Sequence, residues 1–269
     1  MKFIIDGVRY HVEECGAGFP LVALHGFTGT GKTWEPFCKY WEAHSRIIMP
    51  DLIGHGKTDA SPEVEKYSII QAAQAIAEML DAKGVEQADV LGYSLGGRIA
   101  VAFGVLYPQR VRKLVLESTS PGLKLEKDQK MRKEQDGKLA EMLVTEGLEA
   151  FVDYWENIPL FQSQKKLPQA IRNNIRNERL SHSPLGLSNS LLGMGTGSQP
   201  SWWNEIKNFS FETLILSGSL DLKFCAISTE MTRKIPSCRH VTISPAGHAI
   251  HVEQAEKFGT IVSRFLSNT

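Results

Sequence analysis

Short apolar runs typical of β-strands are spaced along the chain, with helical patterns between most of them. The first residues alternate apolar and polar positions around Asp6 and Gly7, as expected of two antiparallel strands joined by a tight turn. The runs PLVALH, RIIMPD, ADVLGY and KLVLES then alternate with helical patterns near residues 33–43, 68–83 and 95–107. This rhythm is typical of βαβ units, so the sequence predicts an α/β fold with a mostly parallel sheet flanked by helices.

The rhythm stops in the middle of the chain. From about Gly122 to Lys207 charged helical patterns and prolines replace the strand-like runs. Strand patterns return with ETLILSGS and RHVTIS, and a helical stretch of residues 252–266 follows. Because the sheet resumes, we expect one core domain of residues 1–121 and 208–269, with a helical cap of residues 122–207 inserted after the sixth strand.

Composition and charge exclude several classes of protein. The 269 residues include 30 basic and 30 acidic ones, so no overall field favours nucleic acid or an anionic membrane surface. Asp6 follows only three apolar residues at the N-terminus, and no run approaches the roughly 18 to 20 apolar residues of a membrane span. These features predict a cytoplasmic protein without a nucleic-acid partner or a membrane span.

The cysteines show no metal-binding or disulfide pattern. The four are scattered without C-x-x-C spacing, at Cys15, Cys38, Cys225 and Cys238. The sequence therefore predicts free thiols and neither a zinc site nor a disulfide framework.

The segment GFTGTGKT, residues 26–33, fits the phosphate-loop pattern G-x-x-x-x-G-K-[ST] and follows a strand-like run. The run RIIMPD ends in an acid, Asp51, as a magnesium-binding acid of a P-loop NTPase would require. A nucleotide-binding protein is therefore one interpretation of this part of the chain.

A second glycine motif competes with the first. In GYSLGG, Ser94 occupies the centre of a G-x-S-x-G pattern between a predicted strand and a predicted helix, which is the context of a nucleophile elbow. A serine hydroxyl needs a histidine to take its proton and an acid to orient that histidine. Asp221 and His248 each follow a later predicted strand, so the chain order Ser, Asp, His matches that of α/β-hydrolases.

Other roles for these residues compete with a catalytic triad. Asp221 could cap the following helix, and His248 could be a turn residue. The rival histidines are His25, His55, His240 and His251, of which His240 is predicted within a strand and His251 within or at the start of the last helix.

The triad interpretation also accounts for the first glycine motif. An oxyanion needs two N–H donors, which we predict to be those of Leu95, after the serine, and Phe27, in the glycine turn. Lys32 and Thr33 then become solvated residues at the start of a helix, and Asp51 and His55 are expected to be structural. The NTPase interpretation leaves the serine, the acid and the histidine unexplained.

Arg98 follows Ser94 by one helical turn and so lies on the same helix face. A site arginine predicts an anionic substrate, because its planar fork pairs bidentately with a carboxylate. An internally paired or solvated arginine is the alternative.

With LHGFTGT, DLIGHGKT, GYSLGGR and PAGH in place, the chain resembles the α/β-hydrolase superfamily. More narrowly, LHGFTGT followed by Trp34, together with GYSLGGRIA, LESTSPGL and GMGTGSQPSWW, is similar to the 2-succinyl-6-hydroxy-2,4-cyclohexadiene-1-carboxylate synthases of menaquinone (vitamin K2) biosynthesis. The resemblance implies a lyase that eliminates pyruvate from 2-succinyl-5-enolpyruvyl-6-hydroxy-3-cyclohexene-1-carboxylate, with the triad as base and without a metal or organic cofactor.

The resemblance also implies binding residues for a small molecule with several carboxylates. Arg98 is the first arginine, Arg132 the second, and Arg179 or Arg176 the third, with Arg179 favoured by counting back from Gln199. Trp155 and Tyr93 fall at pocket positions, although packing of the cap on the core would equally use such aromatics. A serine carboxylesterase, a carbon–carbon bond hydrolase and a non-catalytic binding module remain alternatives.

Overall fold

A computed structural model describes residues 2–268 of the chain. Eight strands form one sheet in the order β1-β2-β4-β3-β5-β6-β7-β8. The two N-terminal strands pair antiparallel with each other, β2 pairs antiparallel with β4, and the strands from β3 to β8 run parallel. The strands are β1 (Lys2–Ile5), β2 (Val8–Cys15), β3 (Phe19–Leu24), β4 (Ser45–Pro50), β5 (Ala88–Tyr93), β6 (Val111–Glu117), β7 (Glu212–Gly218) and β8 (Cys238–Ile243).

Helices cover both faces of the sheet and fill the interval between β6 and β7. They are α1 (Cys38–Trp41), α2 (Ile69–Ala82), α3 (Leu95–Leu106), α4 (Glu126–Thr145), α5 (Gly147–Trp155), α6 (Gln169–Leu180), α7 (Pro184–Met194), α8 (Leu222–Lys234), α9 (Ile250–Glu253) and α10 (Ala255–Ser267). The predicted mostly parallel sheet with helices inserted after the sixth strand is confirmed. The domain limits stay a prediction.

The central strands are apolar throughout because both of their faces are covered. All six residues of β5 are buried. Val90 belongs to the cluster formed with α2 and α3, whereas Leu91 belongs to the opposite cluster with Trp34 and Phe258. Each such fully buried side chain contributes roughly 1.5 to 3 kcal/mol relative to an exposed one, so these two clusters fix the strand ends on which the site is built.

Two predicted helices differ from the structure. The first begins as a 3₁₀ helix, Gly31–Phe37, and continues into α1, because Pro36 within it has no N–H for a regular helical bond. The C-terminal stretch is divided at Gln254, whose φ of −139° and ψ of 51° are not helical. The Gln254 side chain donates a hydrogen bond to the Pro245 carbonyl, which ties this break to the loop after β8.

The prediction of four free thiols is wrong for two of them. Cys15, at the end of β2, and Cys38, at the start of α1, form a disulfide. Their sequence separation of 23 residues is no recognisable motif, and only the packing of α1 against the sheet edge brings them together. Cys225 and Cys238 are free.

Candidate active site

Ser94 lies on a strained turn between β5 and α3. Its φ of +50° is in the left-handed region, which non-glycine residues rarely occupy. Gly96 permits this turn, because a Cβ atom there would lie only 2.3 Å from the Leu24 carbonyl oxygen of the neighbouring strand. The local sequence therefore lifts the serine hydroxyl out of the carboxyl edge of the sheet, as a nucleophile elbow does.

The structure brings together the serine, histidine and aspartate that the sequence singles out. His248 Nε2 lies 3.0 Å from Ser94 Oγ, and His248 Nδ1 lies 2.7 Å from Asp221 Oδ2. Asp221 follows β7 and His248 follows β8, and His248 is only 1% exposed. With Nδ1–H donating to the carboxylate, Nε2 is left to accept the serine proton.

Asp221 also caps α8, so its two predicted roles are compatible. Its Oδ1 accepts a hydrogen bond from the Phe224 N–H at 3.2 Å, whereas its other oxygen faces His248. The hydrogen bond from Phe224 holds the carboxylate through Oδ1, and the carboxylate in turn orients the His248 imidazole through Oδ2.

The residues of the two predicted oxyanion donors, Phe27 and Leu95, line the cavity beside Ser94. Leu95 is the first residue of α3, so its N–H has no acceptor within the helix. Within residues 2–268, the Phe27 N–H has no backbone acceptor. Both residues line the same cavity as Ser94, which is the arrangement that an oxyanion site requires.

The phosphate-loop match does not produce a phosphate cradle. The Gly31 N–H donates to Asp51 Oδ1 at 2.7 Å, and the Lys57 N–H donates to Asp51 Oδ2 at 2.8 Å. Asp51 is buried and uses both carboxylate oxygens to accept these backbone N–H groups, so it holds two loops together. Lys32 is exposed and Thr33 half-buried at the start of the 3₁₀ helix.

Three buried histidines connect the loops near the site to the cap. The rings of His25 and His55 are 5.2 Å apart, and those of His55 and His182 are 5.4 Å apart. His25 Nε2 accepts the Leu52 N–H, and His182 Nε2 lies 3.0 Å from the Thr28 carbonyl. Burial lowers the pKa of His25 to about 4 and also lowers the pKa of His55 and of His182.

We expect the free energy of unfolding to fall as the pH is lowered from about 6.5 to 5. The unfolded chain binds protons at these histidines near pH 6.5, whereas the folded chain, with their pKa values lowered by burial, binds fewer, so each one costs at most about 1.4 kcal/mol per pH unit. His182→Gln keeps an acceptor for the Gly56 N–H and should flatten the slope, measured by urea unfolding. An unchanged slope in this variant would contradict the assignment.

A cavity of about 560 Å³ lies between the sheet edge and the cap helices. Ser94, His248 and Arg98 line it together. One guanidinium nitrogen of Arg98 donates to the Met194 carbonyl and to Gln199 Oε1, both at 2.6 Å. Burial lowers the pKa of Arg98 to about 9, and it stays protonated at neutral pH. Arg98 therefore pairs with internal acceptors and also lines the cavity.

Arg132 and Arg179 do not line the same cavity. Arg132, on α4, lines the cavity of Ser94, and its Nε donates to Asp136 Oδ1 at 2.8 Å. Arg179, on α6, lines an adjacent cavity of about 800 Å³ that shares only Phe27, Tyr93 and Phe161 with the first.

The two candidates for the third arginine differ in burial and pairing. Arg179 is only 5% exposed and lies over the Phe161 ring, 4.9 Å from its centroid. No salt bridge joins it to a carboxylate of residues 2–268. Arg176 is paired with Asp153 and Glu156 at 2.7 and 2.9 Å on the cap surface. Of these two residues, only Arg179 therefore has a guanidinium available for a ligand anion.

The predicted aromatics form part of the cavity wall. Trp155 packs edge-to-face on Phe27 with centroids 5.3 Å apart, and it also lines the cavity. Its Nε1–H is buried without an acceptor among the residues described. The Tyr93 ring lies 5.5 Å from the His248 ring, and burial raises the pKa of Tyr93 well above its usual value. Trp155 and Tyr93 therefore pack against neighbouring rings and also line the cavity.

Glu253 is a supporting residue that the sequence argument does not identify. One of its oxygens accepts the Gly247 N–H at 2.8 Å, and the other accepts the hydroxyl of Ser163 from the cap at 2.8 Å. It thereby holds the loop that carries His248. The one sequence feature that could have identified Glu253 is its position five residues after His248. It lies at the end of a helix that is too short to predict from periodicity.

The comparison with known families agrees with this architecture. The model of the α/β-hydrolase fold family matches residues 20–255. The chain therefore belongs to the α/β-hydrolase family, as its motifs indicate.

Within that family the chain is similar to particular enzymes over nearly its whole length. It is 46% identical to the Bacillus subtilis (strain 168) protein provisionally named 2-succinyl-6-hydroxy-2,4-cyclohexadiene-1-carboxylate synthase, over 98% of this chain and 97% of the relative. It is 30% identical to the synthase of that name from Enterobacter sp. (strain 638), over 93% and 92% of the two chains. The solved structure of MenH from S. aureus superposes with a TM-score of 0.91 at 36% identity, covering 96% of this chain and 97% of that one.

Across residues 2–268, no helix is both long and apolar enough to cross a membrane.

Proposed function

We propose that the protein is a lyase that eliminates pyruvate from 2-succinyl-5-enolpyruvyl-6-hydroxy-3-cyclohexene-1-carboxylate in menaquinone biosynthesis. The product is 2-succinyl-6-hydroxy-2,4-cyclohexadiene-1-carboxylate, the compound in the names of the relatives. The observation that carries this proposal is that one cavity holds Ser94, His248 and two arginines, Arg98 and Arg132. A hydroxyl activated by a histidine beside two guanidiniums suits proton abstraction from a substrate with several carboxylates.

The names of substrate and product define the bonds that change. The ring double bond at carbon 3 becomes a diene at carbons 2 and 4, so a base removes the proton on carbon 2. The electron pair forms the carbon 2–carbon 3 double bond, the original double bond moves to carbons 4 and 5, and the bond from carbon 5 to the enolpyruvyl oxygen breaks. Protonation of the released enolpyruvate gives pyruvate.

The triad supplies the base in this mechanism. Ser94 takes the proton from carbon 2 as its own proton passes to His248 Nε2, 3.0 Å away, and Asp221 stabilises the imidazolium that forms. Carbon 2 carries the succinyl ketone, so negative charge develops on that ketone oxygen as the proton leaves. The Phe27 and Leu95 N–H groups are the proposed donors to it, because both residues line the cavity beside Ser94.

The arginines are proposed to bind the carboxylates and to favour departure of the anionic enolpyruvate. Arg98 and Arg132 act inside the cavity of Ser94, and Arg179 acts from the adjacent cavity behind Phe27 and Phe161. A bidentate guanidinium–carboxylate pair in such a buried place is stronger than one at the surface. Trp155 and Tyr93 are proposed to shield the substrate from water.

Replacing Arg179 by alanine should raise KM about 10- to 100-fold, because a charge-assisted hydrogen bond contributes roughly 1.5 to 3 kcal/mol. Arg176→Ala is the matched control on the same helix, and its exposed ion pairs should matter by less than about threefold. Pyruvate release followed with lactate dehydrogenase and NADH provides the assay. A larger effect at Arg176 than at Arg179 would reverse the assignment of the third arginine.

The alternative is a hydrolase in which Ser94 attacks a carbonyl and forms an acyl-enzyme. The same triad and oxyanion donors would serve it, so the distinction is experimental. Rapid pyruvate release without an acyl-serine supports the lyase, whereas an acyl-Ser94 trapped with simple esters would support the hydrolase.

We also propose a cytoplasmic location and the division into a core domain of residues 1–121 and 208–269 with a cap of residues 122–207. The paired helices α4 and α7 support the cap as a packed unit. The Cys15–Cys38 disulfide is unusual for a cytoplasmic protein, so its redox state in cells bears directly on the location.

A further inference from the structure

A buried carboxylate in the cavity has one oxygen without a partner. Asp136, on α4, is 1% exposed and lines the cavity of Ser94. Its Oδ1 accepts the Arg132 Nε–H at 2.8 Å. Its Oδ2 has no hydrogen-bond partner in the described part of the chain. Because a buried carboxylate oxygen is costly to leave without a donor, a ligand group is expected to provide one.

The surroundings fix the position of this oxygen. Gly195, directly after α7, packs against it so closely that a Cβ atom there would lie 2.5 Å from Asp136 Oδ2. Arg132 holds the carboxylate from its own helix, one turn away. Asp136 is therefore clamped between α4 and the end of α7, as a preorganised acceptor requires.

The chemistry of the substrate leaves one group that can donate to this oxygen. In the substrate of the proposed function, the three carboxylates, the ketone and the enol ether only accept hydrogen bonds at neutral pH. The hydroxyl on ring carbon 6 is the single donor. It is also adjacent to the carboxylate on ring carbon 1, just as Asp136 is adjacent to Arg132.

We propose that Asp136 is a specificity-determining residue whose Oδ2 accepts the hydrogen bond of the substrate's ring hydroxyl, while Arg132 beside it binds a carboxylate. This inference rests on the proposed function, because it takes the hydroxyl from that substrate. It gives the cavity a means to select the hydroxylated ring over a ring without the hydroxyl, since the deoxy compound leaves the carboxylate oxygen unpaired.

The test compares the substrate with its 6-deoxy analogue in pyruvate release. The native enzyme should show about a 10- to 100-fold lower kcat/KM for the analogue. In Asp136→Asn the amide keeps an acceptor for Arg132 but presents an NH₂ group to the hydroxyl. The hydroxyl can still accept a neutral hydrogen bond from this NH₂ group, but its charge-assisted bond to the carboxylate is lost. The variant should therefore lose part of that factor on the natural substrate and lose little more on the analogue.

Two further variants separate specificity from structure. Asp128→Asn removes another carboxylate that lines the cavity but is half-buried, and it should keep the native preference. In Gly195→Ala the new Cβ atom would lie 2.5 Å from Asp136 Oδ2 and 2.3 Å from the Leu191 carbonyl oxygen, so both the carboxylate and the end of α7 must shift. The preference should therefore fall even if Asp136→Asn does not fold. Thermal unfolding of each variant identifies loss of folding.

The outcomes distinguish the inference from the function on which it rests. An equal loss on both substrates in Asp136→Asn would mean that Asp136 only orients Arg132, and an equal kcat/KM of the native enzyme for both would also overturn the inference. In either case pyruvate release would still support the proposed function. No pyruvate from either compound would overturn the proposed function and the inference together.

Discussion

Replacing Ser94 by alanine is expected to lower kcat for pyruvate release by about 10³- to 10⁴-fold, with a smaller effect on KM. Alanine removes the hydroxyl that lies 3.0 Å from His248 Nε2, and a positioned general base contributes about this factor. The arginines that bind the carboxylates are unaffected, so substrate affinity should be largely retained. Steady-state kinetics of the purified variant, with pyruvate detected through NADH oxidation, measure both parameters.

Ser219→Ala is the matched control for this prediction. Ser219 also follows the carboxyl end of a parallel strand, but its hydroxyl pairs with Ser244 at 3.1 Å and does not line the cavity of Ser94. Its kcat should stay within about twofold of the native value. If Ser94→Ala retained native activity, a base other than the serine would have to remove the ring proton.

Replacing Arg98 by lysine is expected to lower kcat/KM by about 10- to 100-fold. Lysine keeps the positive charge but loses the planar fork that pairs bidentately with a carboxylate and also reaches the Met194 carbonyl and Gln199. Alanine should be worse, because it leaves those two buried acceptors unpaired. The same pyruvate assay over a range of substrate concentrations separates KM from kcat.

Arg233→Ala, which removes an exposed arginine of α8, provides the charge control and should change kcat/KM by less than about twofold. Wild-type kinetics in Arg98→Lys, with intact folding, would show that the planar fork of Arg98 is not needed to bind the substrate. That result would contradict its proposed bidentate pairing with a carboxylate.

The sheet could be predicted because its physical signal is local. Strands such as β5 are buried on both faces and therefore read as continuous apolar runs bounded by turns. The Cys15–Cys38 disulfide could not be predicted in this way, because the two residues meet only when α1 packs on the sheet edge. At the break in the C-terminal helical stretch, the Gln254 side chain bonds to the Pro245 carbonyl, a contact that hydrophobic periodicity does not reveal.

In the candidate site, too, the residues with a local sequence signal could be predicted and the others could not. Ser94, Asp221 and His248 could be proposed because each follows a strand, and the carboxyl ends of parallel strands meet at one edge. The cap residues depend on how α4, α6 and α7 pack over that edge. For Asp136, the only feature in the sequence is its spacing of four residues from Arg132. No sequence feature indicates that Arg179 lies in a separate cavity.

The most direct test of the proposed reaction is to incubate the purified native protein with 2-succinyl-5-enolpyruvyl-6-hydroxy-3-cyclohexene-1-carboxylate and to quantify pyruvate and the conjugated diene together. We predict equimolar formation of both products, without an acyl-Ser94 detectable by mass spectrometry of the quenched enzyme. A native protein that released no pyruvate, but cleaved neutral esters through an acylated Ser94, would contradict the lyase mechanism.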